Sequence, residues 1–273
     1  MQNNALITRK SLIVGTGLGL LALVTGCSRQ DAATSQGAGA SPSSAAPHAP
    51  EWSYEGPEGP ESWGELSSSF QTCSAGTQQS PIDVPGSLGV SREPLTLGYG
   101  TSDFEVVKGA HSIELRPLAT QQIELDGVAY TFRQMHFHAP SEHTVDGVRY
   151  EAEFHFVHQS DDGRLAVLGV LAKRGGDNGA WAPYVEAVSA ARTGQAAKMG
   201  GTTLSALFPA SLDHYKYQGS LTTPPCSEGV QWLLLEQPVE LGAGQLAELT
   251  SGEAANSRPT QPLNTRTVTL VDQ

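Results

Sequence analysis

Histidines alternate with large apolar residues in two short segments of this chain. In Gln134-Met135-His136-Phe137-His138, a polar side chain falls at every second position, and Glu153-Phe154-His155-Phe156 shows the same alternation. A β-strand sends successive side chains to opposite faces of its sheet, so each segment is predicted to be a strand with one polar face. Five of the eight histidines lie between positions 136 and 158, which favours a fold that brings these two strands together.

Two adjacent strands of this kind would bring His136, His138 and His155 together. Three imidazole nitrogens can bind one Zn²⁺ at about 2.0–2.1 Å and leave a fourth position open, as catalytic zinc sites do. Gln134 and Glu153 each precede a predicted ligand by two residues, on the same face of the strand. We expect both to accept hydrogen bonds from the second nitrogens of the ligands and so to orient the rings.

His158 follows His155 by three residues, so it should point to the other face of the strand and should not bind the metal. The alternative interpretation is that His136, His138 and His155 are ordinary histidines on a polar sheet face. A third histidine with a carboxylate two residues before it favours the metal site.

The remaining apolar stretches are short and rich in Val, Leu, Ile and Phe, as in strands. The predicted strands cover residues 101–117, 123–138, 150–159, 165–174 and 230–239. Residues 165–171 are apolar on both faces and are expected in the centre of a sheet. The best helical stretches are 180–192 and 244–250, so the predicted fold class is mostly β with peripheral helices.

Residues 1–27 are predicted to be an export signal. Arg9 and Lys10 precede 13 uncharged residues, 12–24, whereas a membrane-spanning helix needs about 20 apolar residues. The run ends in Val24-Thr25-Gly26-Cys27, which resembles a bacterial lipobox, so Cys27 is expected to be lipidated and to become the new N-terminus. Ordinary signal-peptidase cleavage beyond Cys27 is the alternative.

Residues 28–50 are expected to form a disordered tether. Ala, Ser, Pro and Gly make up 17 of these 23 residues, so the segment lacks the apolar side chains that would offset the entropy of ordering. Its reach of about 25–30 Å would hold a domain clear of a membrane surface. Residues 51–273 would then be a single domain, exported and lipid-anchored on the outer face of a bacterial membrane.

Charge and cysteine usage narrow the possible functions. The chain has a formal net charge of −12 at pH 7 and no concentrated basic patch, which argues against a nucleic-acid partner.

Cys73 and Cys226 remain once Cys27 is assigned to lipid. Two cysteines in an exported domain are expected to pair, because that compartment is oxidising, and two separate thiols are the alternative.

Several motifs resemble those of the α-carbonic anhydrase family. Segments 134–143 and 153–158 are similar to its two zinc segments, and Gly219-Ser220-Leu221-Thr222-Thr223-Pro224-Pro225-Cys226 to its active-site loop. Further matches follow in family order across 51–273: Trp52-Ser53-Tyr54, Gln79-Ser80-Pro81-Ile82-Asp83, Ala166-Val167-Leu168-Gly169 and Asn256-Ser257-Arg258-Pro259-Thr260-Gln261-Pro262-Leu263. The resemblance implies a large, central, twisted, mostly antiparallel sheet with one zinc ion at the base of a conical cleft.

The resemblance also implies a reaction, the zinc-dependent reversible hydration of carbon dioxide to bicarbonate and a proton. Zinc-bound hydroxide would attack carbon dioxide. An enzyme of this kind is a lyase. Thr222 matches the hydroxyl group that orients this hydroxide, and Glu142 matches the carboxylate that accepts from Thr222. His111 matches the histidine that carries the proton to solvent, Tyr54 a tyrosine of the water network, and Asn256 a hydrogen-bond partner acting through its backbone.

The family's substrate pocket and disulfide also have matching positions. The implied pocket residues are Val157, Val167, Leu221, Thr223, Val230 and Trp232. Secreted members pair the cysteines that correspond to Cys73 and Cys226. Two positions near His111 depart from the family pattern. The family often has Asn at the position of Gly109 and Asn or Gln at the position of Glu114.

Two rival functions are a metal-free binding domain of this fold and a zinc-capturing lipoprotein. The first would be expected to lack at least one of the three histidines. The second would need neither Thr222, Glu142 nor an apolar pocket.

Overall fold

The computed structural model describes residues 50–86, 89–251 and 255–273. The predicted export signal, Cys27 and residues 28–49 of the predicted tether lie outside these ranges. The described strands are β1 (Asp83–Val84), β2 (Gly89–Ser91), β3 (Leu95–Gly98), β4 (Ser102–Lys108), β5 (Ile113–Pro117), β6 (Gln122–Leu125), β7 (Val128–His138), β8 (Thr144–Val145), β9 (Val148–Arg149), β10 (Ala152–Ser160), β11 (Leu165–Arg174), β12 (Ala197–Thr202), β13 (His214–Ser220), β14 (Glu228–Leu235), β15 (Val239–Leu241) and β16 (Thr269–Val271). The α-helices are α1 (Trp63–Leu66), α2 (Thr72–Ala75), α3 (Ala182–Ala190) and α4 (Ala243–Thr250).

Thirteen of the described strands form one mixed sheet. Its main path runs β12-β4-β5-β7-β10-β11-β14-β13-β16-β2, and β3, β6 and β15 pair beside this path. Most neighbours are antiparallel, whereas β11–β14, β11–β15 and β16–β2 are parallel. The predicted mostly β fold class is confirmed. No helix in the described ranges combines the length and apolar character needed to cross a membrane.

β11 lies inside the sheet, between β10 on one side and β14 with β15 on the other. Its side chains alternate between two apolar clusters: Leu168 and Val170 pack into the larger one, and Val167 and Leu171 into a smaller one. The central position expected for residues 165–171 is therefore confirmed. The smaller cluster covers the sheet face that carries the site described below.

Three predicted strands are each divided in the structure. Residues 101–117 form β4 and β5, joined by a turn in which the Gly109 N–H donates to the Ser112 carbonyl at 2.8 Å. Residues 123–138 are split by Asp126 and Gly127, whose φ angles of 51° and 75° form a tight hairpin turn. β14 ends before Pro238, which has no N–H to pair, and β15 begins after it.

Candidate active site

β7 and β10 are antiparallel neighbours, and their register aligns the two polar faces. His136 pairs directly with His155, and His138 pairs with Glu153. Because side chains alternate along each strand, these four lie on one face of the sheet. The structure brings the three predicted ligands together, with one ligand atom of each lying within 4.8 Å of the others.

Two of these imidazoles are oriented by the partners expected from the sequence. Nδ1 of His136 lies 2.8 Å from Oε1 of Gln134, and Nε2 of His155 lies 2.8 Å from Oε1 of Glu153. Because these oxygens only accept hydrogen bonds, the nitrogens facing them must donate. The lone pairs are therefore on Nε2 of His136 and Nδ1 of His155.

The third imidazole is oriented by a residue distant in sequence. Nδ1 of His138 lies 2.6 Å from the carbonyl oxygen of Asn256. The Asn256 side chain accepts from the Ala139 N–H at 2.8 Å and donates to the Phe137 carbonyl at 3.0 Å. These contacts fix Asn256 against the end of β7, and Nε2 of His138 keeps its lone pair.

All three imidazoles are held neutral. Burial lowers the pKa of His136 well below its ordinary value, and His138 and His155 act in the same direction. Burial also lowers the pKa of His138 to about 4. The pKa of His155 is lowered by burial too, against the opposing effect of Glu153. Neutral rings are the form in which histidine binds metals.

Glu153 is fully buried and serves two imidazoles. Its Oε1 lies 2.6 Å from Nδ1 of His143 and 2.8 Å from Nε2 of His155, and its Oε2 accepts from the N–H groups of Glu142 and His143. Burial alone would raise the pKa of Glu153, but the two imidazoles outweigh burial and hold this pKa well below its ordinary value. Nε2 of His143 in turn accepts from the Tyr217 hydroxyl at 2.6 Å.

The role of His143 was not predicted from the sequence. It lies between β7 and β8, where no strand periodicity assigns a direction to its side chain. The signal available was its place in the Ser141-Glu142-His143 motif.

Glu142 lies beside the histidine cluster and is fully buried. Its Oε1 accepts from the Arg258 N–H at 2.8 Å, and its Oε2 lies 3.5 Å from Nε2 of His138. Burial raises the pKa of this carboxyl group to about 7, against the electrostatic effect of His155 and smaller opposing contributions from the Arg258 N–H and from Thr222. The structure thus brings Thr222 and Glu142 together next to the predicted ligands.

Cys73 and Cys226 form a disulfide, as expected of a pair rather than two separate thiols. The buried guanidinium group of Arg258 donates to the carbonyl oxygens of Cys73 and Ser80 and to Oε1 of Gln79, at 2.7–2.9 Å. Gln79 also donates to the Cys226 carbonyl at 3.1 Å. These bonds connect residues 73–80 to the Thr222 loop and, through Arg258, to Glu142. In the sequence, Arg258 stands out only as part of the 256–263 motif, and no local pattern predicts this contact.

An apolar cluster borders the three predicted ligands. It contains five of the six predicted pocket residues: Val157, Val167, Leu221, Val230 and Trp232. Val157 pairs with Val167 across β10 and β11, and Val167 pairs with Trp232 across β11 and β14. The Trp232 and His155 ring centroids are 4.8 Å apart, so the cluster begins at the three-histidine cluster.

A cavity of about 130 Å³, here called the cleft cavity, is bordered by His136 and His138. Its lining includes six of the predicted site residues: Tyr54, His111, Gln134, His136, His138 and Thr223. The exposed His111 ring stacks on the indole of Trp52, with ring centroids 4.0 Å apart. His111 therefore borders the same cavity as two of the predicted ligands but lies outside the three-histidine cluster.

The two positions that differ from the family pattern have structural partners. Glu114 lines the cleft cavity and forms an ion pair with Arg116 at 2.7 Å. Gly109 lies in the turn that carries His111, where an added Cβ would lie 3.2 Å from the Ser112 carbonyl.

His158 lies away from the cluster, as its position in the strand predicts. It is fully buried, with Nε2 2.6 Å from the Tyr99 hydroxyl and its ring against Phe132. Burial lowers its pKa to about 3. His158 is therefore a neutral core residue of the opposite sheet face.

This chain is similar in sequence and in structure to several known proteins. The eukaryotic-type carbonic anhydrase family matches residues 58–272. A carbonic anhydrase from Pectobacterium carotovorum is 38% identical over 219 residues, which cover 80% of this chain and 89% of that protein. The α-carbonic anhydrase of Thermovibrio ammonificans, solved with the inhibitor sulfanilamide, has a TM-score of 0.76 at 38% identity and covers 81% of this chain and 99% of its own. The α-carbonic anhydrase of Photobacterium profundum has a TM-score of 0.74 at 36% identity, covering 80% and 100%.

The family match spans most of the chain, the relatives are well above 30% identical, and their structures superpose over nearly their whole length. The chain therefore belongs to the α-carbonic anhydrase family.

Proposed function

We propose that His136, His138 and His155 bind one Zn²⁺ and that the chain uses it to hydrate carbon dioxide. Reversible hydration of carbon dioxide to bicarbonate and a proton is the reaction of this enzyme family. The observation that carries the zinc assignment is the arrangement of the three rings. One nitrogen of each ring donates a hydrogen bond to an oxygen. The other nitrogen of each ring has a free lone pair, and the three rings lie close enough together to bind one ion.

The residues present fit a divalent cation. Nε2 of His138 is buried and has no hydrogen-bond partner among the described residues, which would be unfavourable without a ligand. Glu142 and Glu153 are buried next to the cluster, so a cation would balance negative charge there. Three neutral imidazoles with an open side are the ligand set of catalytic zinc.

When bound, zinc supplies a hydroxide nucleophile at neutral pH by lowering the pKa of a coordinated water to about 7, the general value for carbonic anhydrases. Gln134, Glu153 and the Asn256 carbonyl keep the three rings in the orientation that binding requires.

Thr222 and Glu142 orient the nucleophile. The Thr222 hydroxyl would donate a hydrogen bond to Oε2 of Glu142, which has no other hydrogen-bond partner among the described residues. The Thr222 oxygen would then be left to accept from the nucleophile and aim it at the substrate. This requires an ionised Glu142. The N–H of Arg258 and a cation at the histidine cluster both favour that form.

The apolar cluster and His111 complete the site. Val157, Val167 and Trp232 exclude water from the region beside His155, where an uncharged, weakly polar substrate can lie. His111 takes up the released proton on a ring nitrogen and passes it to solvent, because an imidazole nitrogen can both accept and donate a proton.

Stopped-flow measurement of carbon dioxide hydration tests the proposal. The zinc-loaded chain should be active, chelator-treated chain inactive, and added zinc should restore the rate. A primary aromatic sulfonamide such as sulfanilamide, the inhibitor bound in the Thermovibrio ammonificans structure, should inhibit by occupying the metal and donating to Thr222. Unchanged activity after complete metal removal would contradict the zinc assignment, and zinc binding without hydration would favour a zinc-capturing protein.

We also propose that the chain is exported and anchored through a lipid on Cys27. The support is the lipobox-like sequence before Cys27, the tether composition behind it and the disulfide, which is typical of oxidising compartments. Cys27→Ser should move the protein from the membrane fraction to the soluble fraction without changing kcat/KM. Unchanged membrane association would point to an uncleaved N-terminal helix instead.

A further inference from the structure

His111 borders a second cavity as well as the cleft cavity. This second space, here called the mouth cavity, has a volume of about 310 Å³. Tyr54, His111 and Ser112 line both cavities, whereas Glu55 lines only the mouth cavity. Its volume is sufficient for several water molecules or for one small heterocyclic base. A molecule in the mouth cavity would therefore be next to the histidine proposed to release the proton.

Glu55 is the described carboxylate that faces this space. Its side chain is exposed, does not cap the helical turn that follows it, and forms no hydrogen bond or ion pair with the described residues. Its backbone is held by Ser53, whose hydroxyl donates to the Glu55 carbonyl at 2.5 Å and accepts from its N–H at 3.3 Å. The cleft-cavity carboxylate, Glu114, is instead paired with Arg116. Glu55 therefore presents an unpaired negative charge to whatever enters the mouth cavity.

We propose that Glu55 selects the external acceptor that removes the proton from His111, favouring neutral nitrogen bases over anionic buffers. The proposal rests on the proposed function, in which His111 takes up the proton. In the transfer, an N–H bond of the protonated His111 ring breaks and its electron pair stays on the ring nitrogen. The lone pair of the base forms the new N–H bond. The carrier enters neutral and leaves as a cation.

The charge of Glu55 acts on this exchange in two ways. It attracts the positive charge that develops on a nitrogen base, and it repels an anionic acceptor such as hydrogen phosphate. For one exposed charge acting over several ångströms in water, the expected selectivity is about two- to four-fold. Because the charge is exposed, added salt should reduce the effect. Glu55 acts through His111 and the carrier, so it is a positioning residue.

The experiment compares two proton acceptors on the zinc-loaded full chain. Carbon dioxide hydration is measured at saturating substrate while imidazole or inorganic phosphate is titrated from low concentration. The readout is the ratio of the two buffer efficiencies, each being the increase in rate per buffer concentration. Glu55→Gln should lower the imidazole-to-phosphate ratio about two- to four-fold, and Glu55→Lys should lower it further. The kcat/KM for carbon dioxide should not change, and salt should reduce the difference between the wild type and the variants.

Glu58→Gln is the matched control. It removes the same charge from an exposed position three residues further on, outside the mouth-cavity lining, and should leave the ratio unchanged. An unchanged ratio in both Glu55 variants, or an equal decrease in Glu58→Gln, would overturn the proposal. Failure of the proposed function would appear differently, as no hydration with either buffer.

Discussion

Oε1 of Glu153 lies 2.8 Å from Nε2 of His155, and both side chains are almost completely buried. The same oxygen is 2.6 Å from Nδ1 of His143, so one carboxylate oxygen holds two imidazoles. A donor at this place cannot replace the carboxylate, because both ring nitrogens that face it must donate. The orientation of the His155 ring, a proposed zinc ligand, thus depends on the charge and the acceptor capacity of one buried side chain.

Glu153→Gln should weaken zinc binding about 10- to 100-fold, since it replaces an acceptor with an amide that can donate while nearly preserving the volume. Competition with a chelator of known zinc affinity measures the change. Glu151→Gln, at an exposed position two residues earlier, is the matched control and should bind zinc normally. Equal zinc affinity in Glu153→Gln and the wild type would contradict the role of the buried carboxylate.

The three ligands should be individually necessary. His136→Ala, His138→Ala and His155→Ala should each lose stoichiometric zinc and carbon dioxide hydration, because two imidazoles bind the ion much more weakly than three. Metal analysis of purified protein gives the stoichiometry. His111→Ala and His158→Ala should retain one zinc per chain. One zinc per chain in the His155 variant would exclude that residue as a ligand.

The disulfide should stabilise both the domain and its active-site loop. Replacing Cys73 and Cys226 with Ser should lower the free energy of unfolding by about 2–5 kcal/mol and reduce activity, since the bond closes a span of 153 residues and ends beside the Thr222 loop. Denaturant unfolding measures the first effect. Thiol titration of unfolded, unreduced Cys27→Ser protein should find no free thiol; two thiols would show that the bond is absent.

His111→Ala should slow turnover without affecting substrate capture. In weak buffer kcat should fall, by at most the roughly 10²–10⁴-fold that general acid–base transfer contributes, while kcat/KM should stay near the wild-type value. Imidazole at high concentration should restore much of the rate by accepting the proton directly. A parallel loss of kcat and kcat/KM, with no recovery in imidazole, would assign His111 a structural role.

Acid should destabilise the fold partly through His158. Burial lowers its pKa to about 3 in the folded protein, so the unfolded chain binds one more proton between about pH 6.5 and that value. The stability from neutral His158 is complete above about pH 6.5 and is lost as pH falls through this window, at about 1.4 kcal/mol per pH unit. His158→Gln should reduce the slope of unfolding free energy against pH by that amount.

The His158 comparison is best made on metal-free protein. The ligand histidines are then protonated on unfolding in both chains, and their contribution cancels in the difference. Parallel stability curves for the wild type and His158→Gln between pH 6 and pH 4 would show that His158 is accessible to protons in the folded state.

The local features of the site follow from strand periodicity, which is a property of a few consecutive residues. Alternation alone puts His136 and His138 on one face with Gln134, and His158 on the other face from His155. Helix and strand composition likewise predicted the mostly β fold and the central position of β11. The divided strands were predicted less well, because a hairpin turn such as Asp126-Gly127 interrupts an apolar pattern only briefly.

The tertiary structure decided which distant groups complete the site. The carbonyl of Asn256 meets His138 across 118 positions, and the N–H of Arg258 meets Glu142 across 116. No periodic pattern relates such residues, because their approach depends on how loops cross the sheet edge and on the packing of the whole core. The alternating sequence by itself determined which imidazoles share a face. Only the assembled fold supplied the buried oxygens and N–H groups that orient them.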